Sequence, residues 1–413
     1  MFLQVLTYMG RVFVQTFTSP LFLSIYLGLV LLVAWQYQRL YRMSENMVNL
    51  KMPSYLRPTL ISSLLGLIGA LAGSILLVFI GIDLGSIAIL PLWVVALLLM
   101  LINPRFLCFA YAGGVLALTS LLTGYPPMSI TALLGLVGVL HMVESLLILL
   151  NGHLNPVPVY VMVDQGLRGG FNLQNFWPLP LVALASTGII GNANTVNMPD
   201  WWPLLKDTAF SANVHYALVP ILAVLGYGEI STTRTPAQAA RRSAVHLFIF
   251  SLVLLGLTVL ASHYPPFLYI SAIFSPAGHE LVIWLGLRAE KNRVPIYVKA
   301  PAGVMVLDVV PGTPAAHSGL VSRDIVVGLN GQEHNDFYSL KIDLVMNYGP
   351  AHLNIVRAGK NMKLTYHSRP GEEPGIIPSP HPDSRNFLLE KDDRVFIFFR
   401  HLWNRLQKFT LHH

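Results

Sequence analysis

Residues 303–332 read GVMVLDVVPGTPAAHSGLVSRDIVVGLNGQ, and this stretch decides the fold of the C-terminal part of the chain. Gly303 permits a tight turn into a strand over residues 304–309. The segment PGTPAAHSGL then predicts a turn and one helical turn that ends at Gly319. The following strand, DIVVGL, is closed by the tight-turn pair Asn330-Gly331. Short strands joined by such turns predict a small soluble α+β unit.

This order of strand, helical turn and strand closely resembles a bacterial PDZ domain, and the resemblance covers residues 294–368. It implies that a partner peptide adds as a strand to an open sheet edge in residues 304–308, opposite a helix predicted around 337–346. The groove residues that the resemblance implies are Gly303, Val304, Met305, Val306, Leu307, Phe337 and Leu340. The alternative interpretation is that these apolar side chains simply fill the core of the domain.

Most of the preceding chain is too apolar for a soluble domain. Hydrophobic residues make up 54% of the 413 residues and charged residues only 11%, so lipid has to solvate much of the surface. Seven runs have close to the ~20 residues that a membrane-spanning helix needs. They are 19–37, 59–80, 87–103, 107–122, 130–150, 245–262 and 267–287. The predicted fold class is therefore a polytopic α-helical membrane domain, residues 19–288, followed by a soluble α+β PDZ domain.

Two shorter apolar runs, 179–192 and 214–228, are flanked or interrupted by proline, and we expect them to cross at a tilt or to re-enter. The total number of spans is then seven to nine, depending on whether these two runs cross. Lys and Arg concentrate in the loops 38–58 and 229–244 and after residue 288. The positive-inside rule then predicts a multi-pass plasma-membrane protein whose PDZ domain is cytoplasmic. The net charge of +7 is explained by these loops, so we expect no nucleic-acid partner.

The two ends of the chain carry further amphipathic signals. Residues 1–18 space their apolar side chains as a helix lying at the membrane interface would. After the PDZ domain, residues 369–392 are rich in proline and predict an extended linker. Residues 393–410 predict a basic amphipathic helix that lies on anionic lipid, binds a partner, or packs back on the soluble domain.

Ionisable residues inside the apolar runs are the candidates for chemistry. His279 is followed by Glu280, as in the H-E-x-x-H motif of zinc proteases, but Ile283 stands where the second histidine belongs. His141 and Glu144 are spaced to share a helix face. The single cysteine excludes a disulfide framework and a Cys-rich metal site. We therefore predict no cofactor, no metal and no catalytic residue, with His279, Glu280, His141 and Glu144 as weak metal candidates.

The alternative is a structural role for these four residues, in which the His and Glu side chains hydrogen-bond to one another and fix the helix register. Pro276 and Gly278, just before His279, predict a kinked or broken helix.

A second hypothesis is an intramembrane metalloprotease, or a regulator of proteolysis, related to site-2 proteases. The LNPVPVYVMVD run at 154–164 is similar to the Asn-Pro-x-Pro run of that family. Against it, the PDZ-like segment follows every expected span, whereas in that family it lies inside the chain. A transporter-like core with a regulatory PDZ domain is a third possibility, supported only by the two short runs.

Taken whole, the chain resembles the family of MinJ-like cell-division topological determinants. The resemblance lies in a polytopic core that ends in one PDZ domain and in several core phrases. These are NPRFLCFAYAGG at 103–114, HMVESLLILLNGHLNPVPV at 141–159, GGFNLQNFWPLPLVAL at 169–184 and SPAGHE at 275–280. It implies a non-catalytic scaffold at septa and poles that bridges the pole protein DivIVA to the division inhibitor MinD.

Overall fold

The computed structural model describes residues 2–163, 166–187, 196, 198–205, 215–347, 349–369, 371–381, 384 and 386–389. These residues form two compact units. The first comprises the described residues of 2–42, 54–157 and 171–294, and the second those of 43–53, 158–170 and 295–389.

Helices make up most of the first unit. They are α1 (Phe2–Thr16), α2 (Pro20–Val48), α3 (Leu56–Ile80), α4 (Ile89–Ile102), α5 (Phe109–Thr123), α6 (Ile130–Asn151), α7 (Pro236–His263) and α8 (Pro266–Lys291). Among the described residues, α2, α3, α6, α7 and α8 are long and apolar enough to cross a membrane, by length and composition. The two remaining expected spans, α4 and α5, have only 14 and 15 residues. At 1.5 Å per residue, each is shorter than the hydrocarbon core of about 30 Å.

Two basic segments expected to be loops are partly helical. Helix α2 continues to Val48, so Arg39 and Arg42 lie within the helix and not in a loop after it. Helix α7 begins at Pro236 because Thr235 and Gln238 form a reciprocal capping box, in which each side chain accepts the other residue's backbone N–H. The connections between spans are thus shorter than the sequence pattern indicated.

The described parts of the two short apolar runs, 179–187 and 215–228, lie in strands, which corrects the expectation of tilted or re-entrant spans there. Strands β2 (Gly166–Thr187) and β3 (His215–Ser231) pair antiparallel from Phe171–Ser231 to Thr187–His215. A helix through Pro178 and Pro180 would lose two backbone hydrogen bonds. In a strand, residues two apart direct their backbone N–H groups to the same edge. Pro178 and Pro180 therefore share one edge of β2, and a strand accepts them where that edge does not have to donate to the neighbouring strand.

Helix α1, expected at the membrane interface, buries one face against protein. Val5 and Met9 pack with Val78 of α3 and Leu184 of β2, and the Phe2 ring lies 5.3 Å from the Phe79 ring.

The C-terminal sheet domain lies in the second unit. Its elements are β4 (Val304–Val309), α9 (Pro314–His317), β5 (Ile325–Leu329), β6 (Gln332–Glu333), α10 (Phe337–Met346), β7 (Gly349–Arg357), β8 (Lys360–Ser368) and β9 (Ile376–Pro378). The strands form a sheet in the order β8-β7-β5-β4-β9, with β6 pairing to β5. The strands expected at 304–309 and after residue 324 are present. Their buried side chains form one core with Leu340 and Leu344 of α10.

Within the expected linker, residues 369–392, the described residues include two strands. Ile376 and Ile377 are buried in β9, which pairs with β4. Leu388 and Leu389 form β10, which pairs in parallel with Val161 and Met162 of β1 (Val157–Val163). The sheet domain therefore extends at least to Pro378, beyond the expected boundary at 368. The helix expected at 393–410 lies outside the described residues.

Candidate functional site

The groove residues implied by the PDZ resemblance lie mainly in the core of the sheet domain. The side chains of Val304, Val306, Leu307 and Leu340 are buried, and Phe337 packs against the same core. Met305 contributes backbone groups, because its carbonyl accepts the N–H of Ser379 at 2.8 Å.

Gly303 has a specific structural requirement. Its φ is +82°, its N–H donates to Asn335 Oδ1 at 2.8 Å, and a Cβ atom would lie 2.7 Å from the Val326 carbonyl oxygen. This residue sets the turn that leads into β4, as the sequence indicated.

The open edge expected on β4 is occupied, which corrects the peptide-binding geometry implied by the resemblance. Strand β5 pairs with one side of β4 and β9 with the other, where Val306 faces Pro378 and Asp308 faces Ile377. The Val310 N–H also donates to the Gly375 carbonyl at 2.9 Å. A peptide cannot add to β4 unless the buried strand β9 leaves.

The surface of α10 offers a different contact. Tyr338, Ile342 and Met346 are spaced four residues apart and are 74%, 44% and 62% exposed. Residues at this spacing lie on one helix face. Phe337 and Leu340, selected from the sequence, point instead into the core. The exposed face, here called the α10 stripe, was visible in the sequence as an i, i+4, i+8 pattern.

A polar cluster lies within the helical unit. Cys108 immediately precedes α5, His141 lies on α6 and His279 on α8. The Cys108 Sγ atom is 3.1 Å from His141 Nε2 and 3.6 Å from His279 Nε2. The two imidazole rings meet edge to face with centroids 5.2 Å apart. We call these three residues the Cys-His-His cluster. Sequence reasoning selected the histidines but assigned no role to Cys108.

Glu280 has partners other than those expected. Its Oε1 accepts a hydrogen bond from Arg105 Nη2 at 2.7 Å, and its Oε2 accepts from the Tyr111 hydroxyl at 2.6 Å. The expected bonds from Glu280 to His141 or Glu144 are therefore replaced by an ion pair with Arg105. Because both carboxylate oxygens are engaged, Glu280 is poorly placed to act as a general base.

The sequence predicted a kinked or broken helix near His279; helix α8 is continuous through Pro276, so it is not broken there. Pro276 lacks the N–H that would bind the Ala272 carbonyl. Helix α5 approaches closely at this point, since a Cβ atom on Gly114 would lie 2.3 Å from Pro276 Cδ and 2.8 Å from the Ala272 oxygen. Ser275 Oγ also donates to the Ala110 carbonyl at 2.7 Å, which ties the two helices together.

A second polar group, buried throughout, joins four elements of the helical unit. The Tyr37 hydroxyl lies 2.6 Å from Ser62 Oγ and donates to Asn175 Oδ1 at 3.2 Å. Asn151 Nδ2 donates to the same serine at 3.1 Å. These residues belong to α2, α3, β2 and α6, so their bonds fix the mutual register of the elements.

No family model matches the chain. A curated relative, the cell division topological determinant MinJ of Bacillus subtilis (strain 168), is 25% identical to it over 262 residues. The aligned part is 62% of this chain and 61% of the relative, so less than two thirds of the relative's length is covered. This similarity confirms the resemblance read from the sequence, and the chain is similar to a MinJ-type determinant over the greater part of its length.

Proposed function

We propose that the chain is a non-catalytic membrane scaffold of the cell-division apparatus, whose C-terminal sheet domain is a cytoplasmic PDZ domain that binds partner segments. The observation that carries the proposal is the similarity to MinJ over 262 residues. In this role the chain links DivIVA-like and MinD-like proteins and directs septum placement from septa and poles. The long apolar helices and the separate sheet domain suit a protein that holds a binding module at a membrane.

The partner contact that we propose is the α10 stripe rather than the edge of β4. Exposed Tyr338, Ile342 and Met346 supply an aromatic ring, a branched side chain and a flexible thioether. Aromatic residues and methionine are enriched at protein interfaces, and the flexible methionine side chain adapts to varied partners. Four of the groove residues implied by the resemblance, Val304, Val306, Phe337 and Leu340, then support the stripe, because they form or pack against the core beneath α10.

Localisation of the full-length chain tests the proposal. A fluorescent fusion, expressed in a rod-shaped bacterium in place of its own MinJ-like protein, is expected to concentrate at septa and poles. Combined replacement of Tyr338, Ile342 and Met346 by alanine should spread the signal and reduce co-precipitation of MinD. A matched control replaces Val321 and Met362, which are 46% and 41% exposed outside α10. An even membrane signal for the unaltered chain would contradict the division role.

The alternative function, an intramembrane metalloprotease, has one observation in its favour: the Cys-His-His cluster lies beside Glu280. Glu280→Gln tests it directly, because a catalytic glutamate would be essential whereas a partner of Arg105 would not. Loss of cleavage of a membrane substrate in this variant, with localisation unchanged, would favour the protease. Unchanged partner placement and no cleavage by the unaltered chain favour the scaffold.

A further inference from the structure

We propose that Cys108, His141 and His279 bind one zinc ion inside the helical unit. Among the described residues, these three place one donor atom each within 4.8 Å of one another. The proposal stands independently of the cell-division role, because it rests on the geometry of the cluster alone.

The spacing of the donors suits a tetrahedral ion. With Zn–S bonds of about 2.3 Å and Zn–N bonds of about 2.0 Å, tetrahedral angles place neighbouring donors about 3.3–3.6 Å apart. Cys108 Sγ lies 3.1 Å from His141 Nε2 and 3.6 Å from His279 Nε2. All three donor atoms lie within 4.8 Å of one another, so rotations of the side chains can bring them to these distances around one ion.

The hydrogen bond on the far side of His141 sets the tautomer that metal binding requires. His141 Nδ1 lies 2.7 Å from the Val137 carbonyl oxygen, which only accepts hydrogen bonds. The proton is therefore on Nδ1, and the Nε2 lone pair faces Cys108. A backbone carbonyl that orients the imidazole in this way is a common companion of metal-ligating histidines.

The other two donors are also suitably placed. Cys108 is the N-cap of α5, where its sulfur accepts the Ala110 N–H at 3.5 Å, and the positive end of a helix favours a thiolate. His279 Nδ1 is buried and has no hydrogen-bond partner among the described residues. Its ring is thus not committed by another bond to a tautomer that would put the proton on Nε2.

The nearby charges are compatible with a cation. A thiolate and two neutral imidazoles leave a bound Zn²⁺ with one net positive charge, so uncompensated cations nearby would oppose binding. The nearby guanidinium of Arg105 is paired with Glu280 at 2.7 Å.

The donor types indicate zinc. Sulfur and imidazole nitrogen suit Zn²⁺ and soft Cu⁺, whereas Mg²⁺ and Ca²⁺ prefer oxygen ligands. Three protein ligands leave one coordination position for a water molecule or another small ligand. Since the ligands come from the start of α5, from α6 and from α8, one ion would fasten three helical segments together.

The experiment measures metal content in the full-length chain, purified in detergent without a polyhistidine tag. Elemental analysis is expected to find about one zinc per chain. Cys108→Ser, His141→Ala and His279→Ala should each lower it by at least about tenfold. His263→Ala, at the end of α7, is the matched control and should retain the metal. Stoichiometric copper instead of zinc would overturn the assigned metal.

A second measurement uses only the unaltered chain, so its result does not depend on whether a variant folds. The unaltered chain, stripped by a chelator and titrated with Co²⁺, should develop visible bands of tetrahedral cobalt and a near-ultraviolet charge-transfer band from the thiolate. Because Cys108 is the single cysteine, that band reports this site alone. Absence of both zinc and cobalt binding in the unaltered chain, or unchanged zinc content in Cys108→Ser, would overturn the proposal.

Discussion

Arg357 donates two hydrogen bonds of 2.7 Å to Asp324, one from Nε and one from Nη2, each to a different carboxylate oxygen. The side chain of Asp324 is 1% exposed and that of Arg357 is 33% exposed. Asp324 also accepts the Val321 N–H at 2.9 Å, and Arg357 donates to the Gly319 carbonyl. The pair thus ties β7 to the loop between α9 and β5.

Arg357→Ala should destabilise the sheet domain by about 2–4 kcal/mol, because it leaves a buried carboxylate without its cation. Lys341→Ala is the matched control. It removes an equally short ion pair to Glu373, but these side chains are 31% and 50% exposed, so the expected cost is under about 1 kcal/mol. Hydrogen exchange of the β5 and β7 amides in the full chain measures the loss of stability in both variants. Equal losses of stability in Arg357→Ala and Lys341→Ala would contradict this ranking.

Asp308 predicts a pH dependence of the same domain. Burial raises the pKa of this half-buried carboxyl from 3.8 to about 6. The folded state therefore favours the protonated form of Asp308. Its contribution to the free energy of unfolding is fully present below about pH 4, and it is lost as the pH rises through 6, because the folded protein then has to bury a charged carboxylate.

Asp308→Asn should therefore be more stable than the unaltered chain at pH 7, by about 1–3 kcal/mol, with a difference that vanishes near pH 4. Unfolding midpoints of both proteins, recorded between pH 4 and 7, give this difference. A gap that is constant with pH would refute the assignment to Asp308.

Gly375 fixes the entry into β9. Its φ is +79°, and a Cβ atom there would lie 2.1 Å from Thr313 Oγ1. Gly371 shares the positive φ, +74°, but has open space around it. Gly371→Ala should cost only the backbone strain of about 1–2 kcal/mol.

Gly375→Ala adds a steric clash to the same strain and should detach β9 from β4. The expected signal is rapid amide exchange at Ile376 and Ile377 in Gly375→Ala but not in Gly371→Ala. Similar exchange in the two variants would mean that the contact with Thr313 is unimportant.

Glu290 organises the turn between β3 and α7. Its carboxylate accepts the backbone N–H groups of Thr232 and Thr233 at 2.5 and 2.7 Å, together with both threonine hydroxyls. Glu290→Ala leaves these donors without their acceptor, at a cost of about 1–3 kcal/mol. Glu290→Gln keeps one acceptor oxygen and should lose less. Thermal unfolding in detergent ranks the two, and the reverse order would contradict the role given to the carboxylate.

The sequence predicted best where local signals are strong. The Gly and Pro turns around 303–331 bound the strands β4 and β5 because they allow few backbone conformations. It predicted β9 poorly, because Ile376–Pro378 is a three-residue strand within a proline-rich stretch and owes its conformation to pairing with β4.

The runs that form β2 and β3 were misassigned for a related reason. An apolar run of 14–15 residues fits a buried helix as well as a buried strand, and periodicity does not separate the two. The Cys-His-His cluster was out of reach because Cys108 lies 33 residues from His141 and 171 from His279. Only the packing of α5, α6 and α8 brings them together.

The bond between Tyr37 and Asn175 has a consequence for biogenesis. Asn175 leaves the ribosome 138 residues after Tyr37, so α2 and α3 are synthesised long before the Tyr37 hydroxyl can bond to Asn175. Unmatched polar groups in apolar surroundings are costly, and incompletely packed intermediates expose hydrophobic surface. The bundle can therefore reach its final packing only late in translation. Nascent chains that stop before Asn175 are expected to be degraded by membrane quality control.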